Sequence, residues 1–498
     1  MLLFFLLSLP ILILFHLLHK TRNRTKNSVP PGPPGLPLIG NLHHLATAKT
    51  IHLYLYQLSK KYGPLIHMNL ASKPLIIISS AKLAKQVLKT QDLSFCSRPK
   101  HLGQQKLCYD GLDITFSPYN DYWRELRKIT ALNLFSLKKL QSFRPVREDE
   151  IARMVNKISG FAECNKAVDL SEMTIAFGST LICRIAFGKR YDEQSEIKRL
   201  DELIHEIGAV AGCFFVSDYY PRLGWVDRIA GSIDRMDKLF EKLDSFFQEL
   251  IDEHLGRKER HEEDDDIIDI LIRLREQNNS GSIELKWENI KALLLDIFAA
   301  GTDTSAVAIV WTMTALMKAP NIMKTAQAEI RSLIHEKGKV SEDDLPKLPY
   351  LKAVVNEAFR LYPPLPLLIP RETTEKCMLE GYEIQPETVV FVNAWAIARD
   401  PEHWQNPDEF MPERFLNNNV DIKGHDLEVI PFGSGRRICP GMYMGIANVE
   451  LMVANLLYSF DWELPSGMQA KDVDTDVLPG ISMHKKNPLV LVPSKYLV

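Results

Sequence analysis

What this chain lacks narrows its function first. Its seven cysteines, at positions 96, 108, 164, 183, 213, 377 and 439, are odd in number, scattered and without a C-x-x-C pair. That pattern builds neither a disulfide framework nor a zinc site and suits reduced thiols in a reducing compartment. Charge of either sign is not in excess. The 60 Lys and Arg against 63 Asp and Glu leave a formal charge of -3, with no electrostatic footprint for nucleic acid. No Walker-type lysine motif occurs, and Gly433-x-Gly435 lacks the third glycine and the preceding strand of a dinucleotide fingerprint. Tandem repeats are missing too. With 498 residues and 46% hydrophobic content, the chain can bury a large core.

At the amino terminus, Met1 to Leu18 is almost wholly apolar and is followed by Lys20, Arg22, Arg24 and Lys26. The run is just long enough to cross a hydrocarbon core of roughly 30 Å as a helix. A cleaved secretory signal is the rival reading. No basic region precedes the run and no small-residue cleavage site follows it, so residues 1–19 read as an uncleaved anchor. The basic residues after it place the rest of the chain on the cytosolic side. Residues 20–40 are basic and then proline-rich, Val29-Pro-Pro-Gly-Pro-Pro-Gly-Leu-Pro37, which predicts a stiff extended spacer. The glycosylation patterns at Asn23 and Asn278 would stay unmodified on a cytosolic body.

Residues 41–498 read as one body, mainly α with a smaller β portion. Pro64 to Leu70 and Pro74 to Ser79 are β-branched and bounded by Pro or Gly, which predicts short strands. Helical periodicity is clearest over 119–140, 146–157, 233–255, 288–317, 321–336, 347–361 and 441–460. The charged run Lys258 to Asp266 predicts a solvated loop.

Near the carboxyl end stands Pro431-Phe-Gly-Ser-Gly-Arg-Arg-Ile-Cys-Pro-Gly441, followed by the helical stretch 442–460. Glycines allow sharp turns and close approach to a flat ligand. A cysteine just before a helix amino terminus has its thiolate favoured by the dipole and by free N–H groups. Arg437 is a fixed cation suited to a carboxylate. Taken alone, the same loop also suits a buried structural cysteine.

Three further groupings stand out. Glu357 and Arg360 share a helix face at i, i+3, a spacing common on surfaces and worth little there. Ala300-Gly-Thr-Asp-Thr-Ser305 puts poor helix formers beside a glycine inside a long helical pattern, a local inconsistency that often marks function. Trp123 and Arg127 lie at i, i+4, hence on one face.

Phe432, Gly435, Arg437, Cys439 and Gly441 fill every fixed position of F-x-x-G-x-R-x-C-x-G, and on this the chain resembles the cytochrome P450 family, in its plant endoplasmic-reticulum branch. The resemblance covers essentially the whole chain. It implies the P450 fold, with a haem b cofactor whose iron is held by Cys439. Trp123, Arg127, Arg371 and Arg437 would then contact the haem propionates. Glu357, Arg360 and Arg414 would form a buried structural triad. Ala300 and Gly301 would sit over the haem where a loosened helix turn makes room for O2, with Asp303 and Thr304 relaying protons.

With no flavin or dinucleotide fingerprint, electrons from NADPH would come through a membrane-bound reductase, docked on some of Lys128, Lys138, Lys139, Arg144 and Arg147. The resemblance also places substrate-recognition segments around Leu112, Ile114 and Phe116, Phe214 and Phe215, Phe298, Leu365 and Leu368, and Leu478 and Ile481. Nearly all are apolar, which predicts a small hydrophobic plant metabolite held mainly by shape. Location in the endoplasmic reticulum membrane follows from the same resemblance. A haem-thiolate isomerase or dehydratase that needs no O2, or a non-catalytic haem sensor, are the rival classes. The retained Asp303/Thr304 pair argues for oxygen chemistry over both.

Overall fold

A computed structural model describes residues 29–191, 194–257, 265–277, 283–334, 337–416 and 420–496. The predicted anchor and both glycosylation patterns lie outside them. The proline-rich segment does not run free over its described part. Pro31 O accepts the His67 N–H at 2.9 Å, and Asn41 Oδ1 accepts the Asn69 N–H at 2.9 Å. The fixed φ of the prolines gives an extended strip that docks on the first strand.

That strand, β1 (Leu65–Leu70), pairs antiparallel with β2 (Lys73–Ile78), register Leu70↔Lys73. From Leu75 to Ile78 β2 is apolar and buried on both faces, as strands with a parallel neighbour usually are. That neighbour is the strand Val389–Val392.

After shorter helices, and the 12-residue helix Ile51–Tyr62, comes α1 (Asp121–Ile129), started by Asn120, whose side chain accepts the Trp123 N–H at 2.8 Å. The single helix expected over 119–140 is interrupted. Thr130 and Asn133 bond back to the carbonyls of Leu126 and Ile129, the turn widens to a π-helical one, and Ser136 caps a new helix at Leu137. Next come α2 (Arg144–Glu163), α3 (Leu170–Phe187), α4 (Gln194–Ala211), α5 (Ser232–Leu255), α6 (Trp287–Lys318), α7 (Pro320–Ile334) and α8 (Pro349–Leu361).

β3 (Arg371–Glu372) and β4 (Val389–Val392) complete the first sheet in the order β1-β2-β4-β3, with β4 parallel to β2 at Leu75↔Val389. After α9 (Met442–Ser459), β5 (Phe460–Glu463) and β6 (Val490–Lys495) pair antiparallel.

α6 is the axis of the molecule, and most of its residues from Asn289 to Met317 are buried. α3, apolar on nearly every face, crosses it so closely that a Cβ on Gly178 would lie 2.6 Å from Thr302 O. The charged run reads differently where it is described. Asp265 and Asp266 are buried, because Asp266 is bonded to His254 Nε2 at 2.8 Å and to Arg257, and its carboxylate also accepts the Asp269 N–H.

Candidate active site

One cavity, about 250 Å³, lies between α6 and the loop that leads into α9. Cys439 opens onto it. The loop reaches this position through a tight turn at Gly435 (φ +74), where a Cβ would sit 1.9 Å from Leu88 O, so no larger residue fits. Cys439 N–H donates to Phe432 O at 3.0 Å, and the Phe432 ring packs tilted against Phe359 at 5.2 Å. Burial pushes the Cys439 thiol up, against the pull of the Gly441 N–H and the Arg127 charge. The expected preference for thiolate from the helix end alone is therefore outweighed by desolvation.

Around the rim stand four guanidiniums, Arg98, Arg127, Arg371 and Arg437. Among the described residues only Arg371 of these has a carboxylate partner, Asp92 at 2.8 Å; its second donor goes to Ser434 O. Arg437 donates to the carbonyls of Cys96, Ile114 and Ser117 and lies 4.0 Å over the Trp123 ring, whose Nε1–H donates to Ile114 O. Arg127 donates to Ile438 O.

Burial, and then the neighbouring Arg371 charge, pull Arg437 down to about 9; burial, and then the Arg437 charge, pull Arg98 well down too. Among the described residues, three of these four cations have no carboxylate within ion-pair distance. A thiol on one wall and cation-lined edges fit a planar ring carrying an iron and carboxylates, which is haem. Arg98 was not anticipated from the sequence. Its donors go to the carbonyls of Thr115, Ile369 and Pro370, tying three loops together at the rim.

Across from Cys439 the wall is α6, where Ala300, Gly301 and Thr304 line the cavity. The helix is continuous there. A Cβ on Gly301 would come within 2.5 Å of Ile182 Cδ1, the free end of a side chain on α3. Thr304 Oγ1 donates back to Ala300 O at 2.8 Å. Asp303 points instead to His484 Nε2, 2.6 Å away. Asp296, two turns earlier on α6, also lines the wall and accepts the Ile114 N–H at 2.9 Å. Burial, and then the Asp113 charge, push its carboxyl well above the usual carboxylate range.

Of the expected substrate contacts, Ile114, Leu365 and Leu368 line the cavity. The others do not. Phe298 is fully buried against Phe187 and Phe246, on the side of α6 away from the haem cavity. Phe215 is buried against Gly103, Phe214 is exposed and stacked on Tyr219, and Leu478 is exposed. Leu112, Phe116 and Ile481 are half-buried outside the lining. An apolar residue in a recognition segment is as often core or surface as wall, and only the backbone path decides which.

Below the cavity Glu357, Arg360 and Arg414 meet. Arg360 bonds Glu357 in fork geometry at 2.7 and 2.8 Å, and Arg414 Nε reaches Glu357 Oε1 at 3.0 Å. The remaining guanidinium donors go to backbone carbonyls of Ala398, Pro407 and Gln405, so the charges are buried but bonded.

A thiol-faced, cation-rimmed cavity beneath a threonine-bearing helix defines an oxygen-activating haem-thiolate enzyme. Comparison with known proteins agrees. The Cytochrome P450 family profile matches residues 30–492. The 6,7,8-trihydroxycoumarin synthase of Pastinaca sativa is 48% identical over 99% of this chain and 99% of its own. The strychnine-11-hydroxylase of Strychnos nux-vomica is 46% identical over 96% of this chain and 94% of its own. A zebrafish cytochrome P450 solved with progesterone superposes with a TM-score of 0.77 at 25% identity, covering 89% of this chain and 99% of that one. The chain belongs to the cytochrome P450 family and is a P450 monooxygenase. The family implies haem and O2 as cofactor and co-substrate.

Proposed function

We propose that this enzyme hydroxylates a small, largely apolar plant metabolite of the coumarin or alkaloid kind. The relatives named for such products support the class. The cavity carries the reading. Above Cys439 its wall is Ile114, Ile297, Leu365, Leu368 and Ile369, which hold a flat apolar molecule by shape and keep water out. Haem, when bound, supplies oxygen activation and C–H oxidation, with the thiolate favouring O–O cleavage.

The chain's own residues do the rest. Cys439 holds the iron, and Arg98, Arg127, Arg371 and Arg437 with Trp123 hold the haem carboxylates. Asp303 and Thr304 handle protons on the oxygen side.

Electrons come from NADPH through a partner reductase. Lys128 and Lys138 are exposed and Lys139 half-exposed, on or just past α1, whose Arg127 reaches the cysteine loop. Arg147 is excluded from docking, since it is buried and bonded to Glu342, and Arg144 is engaged by Glu148 and Asp343.

Residues 1–19 anchor the body to the endoplasmic reticulum membrane. Leu36, Leu38, Trp225 and Ile229 are exposed, and Tyr220 Oη donates to Leu38 O at 2.6 Å, so an apolar face lies beside the chain's entry to the body. Among the described residues two helices, Leu170–Phe187 and Trp287–Lys318, are long and apolar enough to cross a membrane, and both are largely buried in the core.

Difference spectra against a panel of coumarins, furanocoumarins and indole alkaloids, followed by turnover with reductase under 18-O2, test the reading. Labelled hydroxylated product is expected. Turnover without reductase and NADPH would mean an isomerase or dehydratase, and binding without oxygenated product would mean a sensor.

A further inference from the structure

Asp303 is bonded away from the cavity, to a histidine 181 positions along the chain. His484 is not a loose surface residue. Its loop is pinned on both sides: Met483 N–H donates to Pro364 O at 2.8 Å, and Trp311 Nε1–H of α6 donates to Met483 O at 2.6 Å. Trp311 itself stacks on Tyr362 at 4.5 Å. On the other side Leu478 N–H donates to His484 O at 2.9 Å, and Lys485 is bonded to Asp474 at 2.8 Å.

The imidazole is 34% exposed and the carboxylate 20%, so the histidine is the more open to water. Besides His484, Asp303 faces the Ser482 hydroxyl on the same loop and the charge of His205 on α4. Burial alone would raise the Asp303 acid, but the His484 bond and charge outweigh it and hold it down. His484 is held up by the same bond, against its own burial. The two form a close histidine–carboxylate pair, 2.6 Å apart.

Asp303 therefore cannot act as an acid by itself. To give a proton toward Thr304 it must first receive one, and the group touching it is His484. We propose that His484 is the positioning residue of the Asp303/Thr304 pair and the solvent-side end of a proton path His484–Asp303–Thr304. In each passage the imidazolium Nε2 proton moves to the Asp303 carboxylate. The neutral imidazole is reprotonated from water, and Asp303 swings one rotamer to deliver the proton inward. The inference rests on the proposed proton role of Asp303 and Thr304.

Full-length holoenzyme, as wild type, H484Q, H484K and D303N, tests it in two ways. Carbon-13 histidine NMR on the diamagnetic ferrous carbon-monoxide form should find His484 titrating above the ordinary histidine value, with D303N lowering it by about 1–3 pH units, the size of a lost charge partner. Hydrogen peroxide released per NADPH oxidised with reductase, which needs no identified substrate, should rise several-fold in H484Q. In wild type it should rise at a pH following the NMR titration, and H484K should move that limb upward.

A His484 titration unchanged by D303N overturns the pair. Peroxide release that rises in D303N and not in H484Q overturns the role of His484 alone. If D303N is silent as well, the underlying proton role of Asp303 falls with it. Should H484Q not bind haem, the D303N titration and the H484K limb still decide.

Discussion

Gly178 of α3 passes Thr302 of α6 with no room for a side chain, a Cβ at that glycine lying 2.6 Å from the Thr302 carbonyl oxygen. This contact sets how near α3 comes to the oxygen-side turn of α6. The obstacle is backbone, which cannot rotate away.

Gly178→Ala should therefore destabilise the holoenzyme by about 1–3 kcal/mol, the usual cost of overpacking. Gly301→Ala meets the free end of Ile182 instead and gains helix propensity of about 1 kcal/mol. Its stability should stay near wild type while Ile182, itself a wall residue, shifts and changes the ligand difference spectra. Denaturant midpoints and titration spectra on the two variants check the contrast.

Glu357→Gln leaves Arg360 and Arg414 buried without a counter-ion. A loss of roughly 3–5 kcal/mol is expected, seen as poor haem retention and a lowered unfolding midpoint. Arg360→Lys keeps the charge but not the fork, and should be nearly as damaging.

Arg98 stands at the cavity rim, where it is proposed to hold a haem carboxylate. Arg98→Leu removes a charge-assisted partner worth about 1.5–3 kcal/mol, so haem should leave roughly 10–100 times faster, measured by transfer to an apoglobin. An unchanged rate would assign Arg98 to loop packing only.

Glu450, on the buried side of α9, gives a pH signature. Burial raises its carboxyl from 4.5 to about 7, although Lys352 and Lys423 pull the other way. Between those values the folded protein keeps a proton that the unfolded chain has released. Stability from this group is thus full below pH 4.5 and lost as pH climbs through 7, by on the order of 3 kcal/mol. Glu450→Gln should flatten that slope, gaining on wild type at pH 8 relative to pH 5 in urea melts.

Local signals were legible and long-range ones were not. The helices 233–255, 288–317 and 347–361 were readable to within about two residues, the first and last because each buries one face, and 288–317, buried on most sides, because of its length. α3 left no such trace, since a helix apolar all round has no period. Cys439, Arg437 and the Glu357 pair stood out as candidates because their motifs are contiguous. Asp296 was within reach, lying two turns before Asp303 on one helix face. Arg98 and His484 were not, since each meets the site through chain closure over hundreds of residues. Phe298 and Phe214 misled because hydrophobicity does not say which side of a helix or loop faces the cavity.

The central claim is that Cys439 is the iron's thiolate ligand, and the Soret band of the ferrous carbon-monoxide complex tests it most directly. Wild type should show the red-shifted band of thiolate ligation, and Cys439→Ala should lose it while keeping a folded circular-dichroism spectrum. A Cys439→Ala protein that retained the red-shifted band would contradict the account.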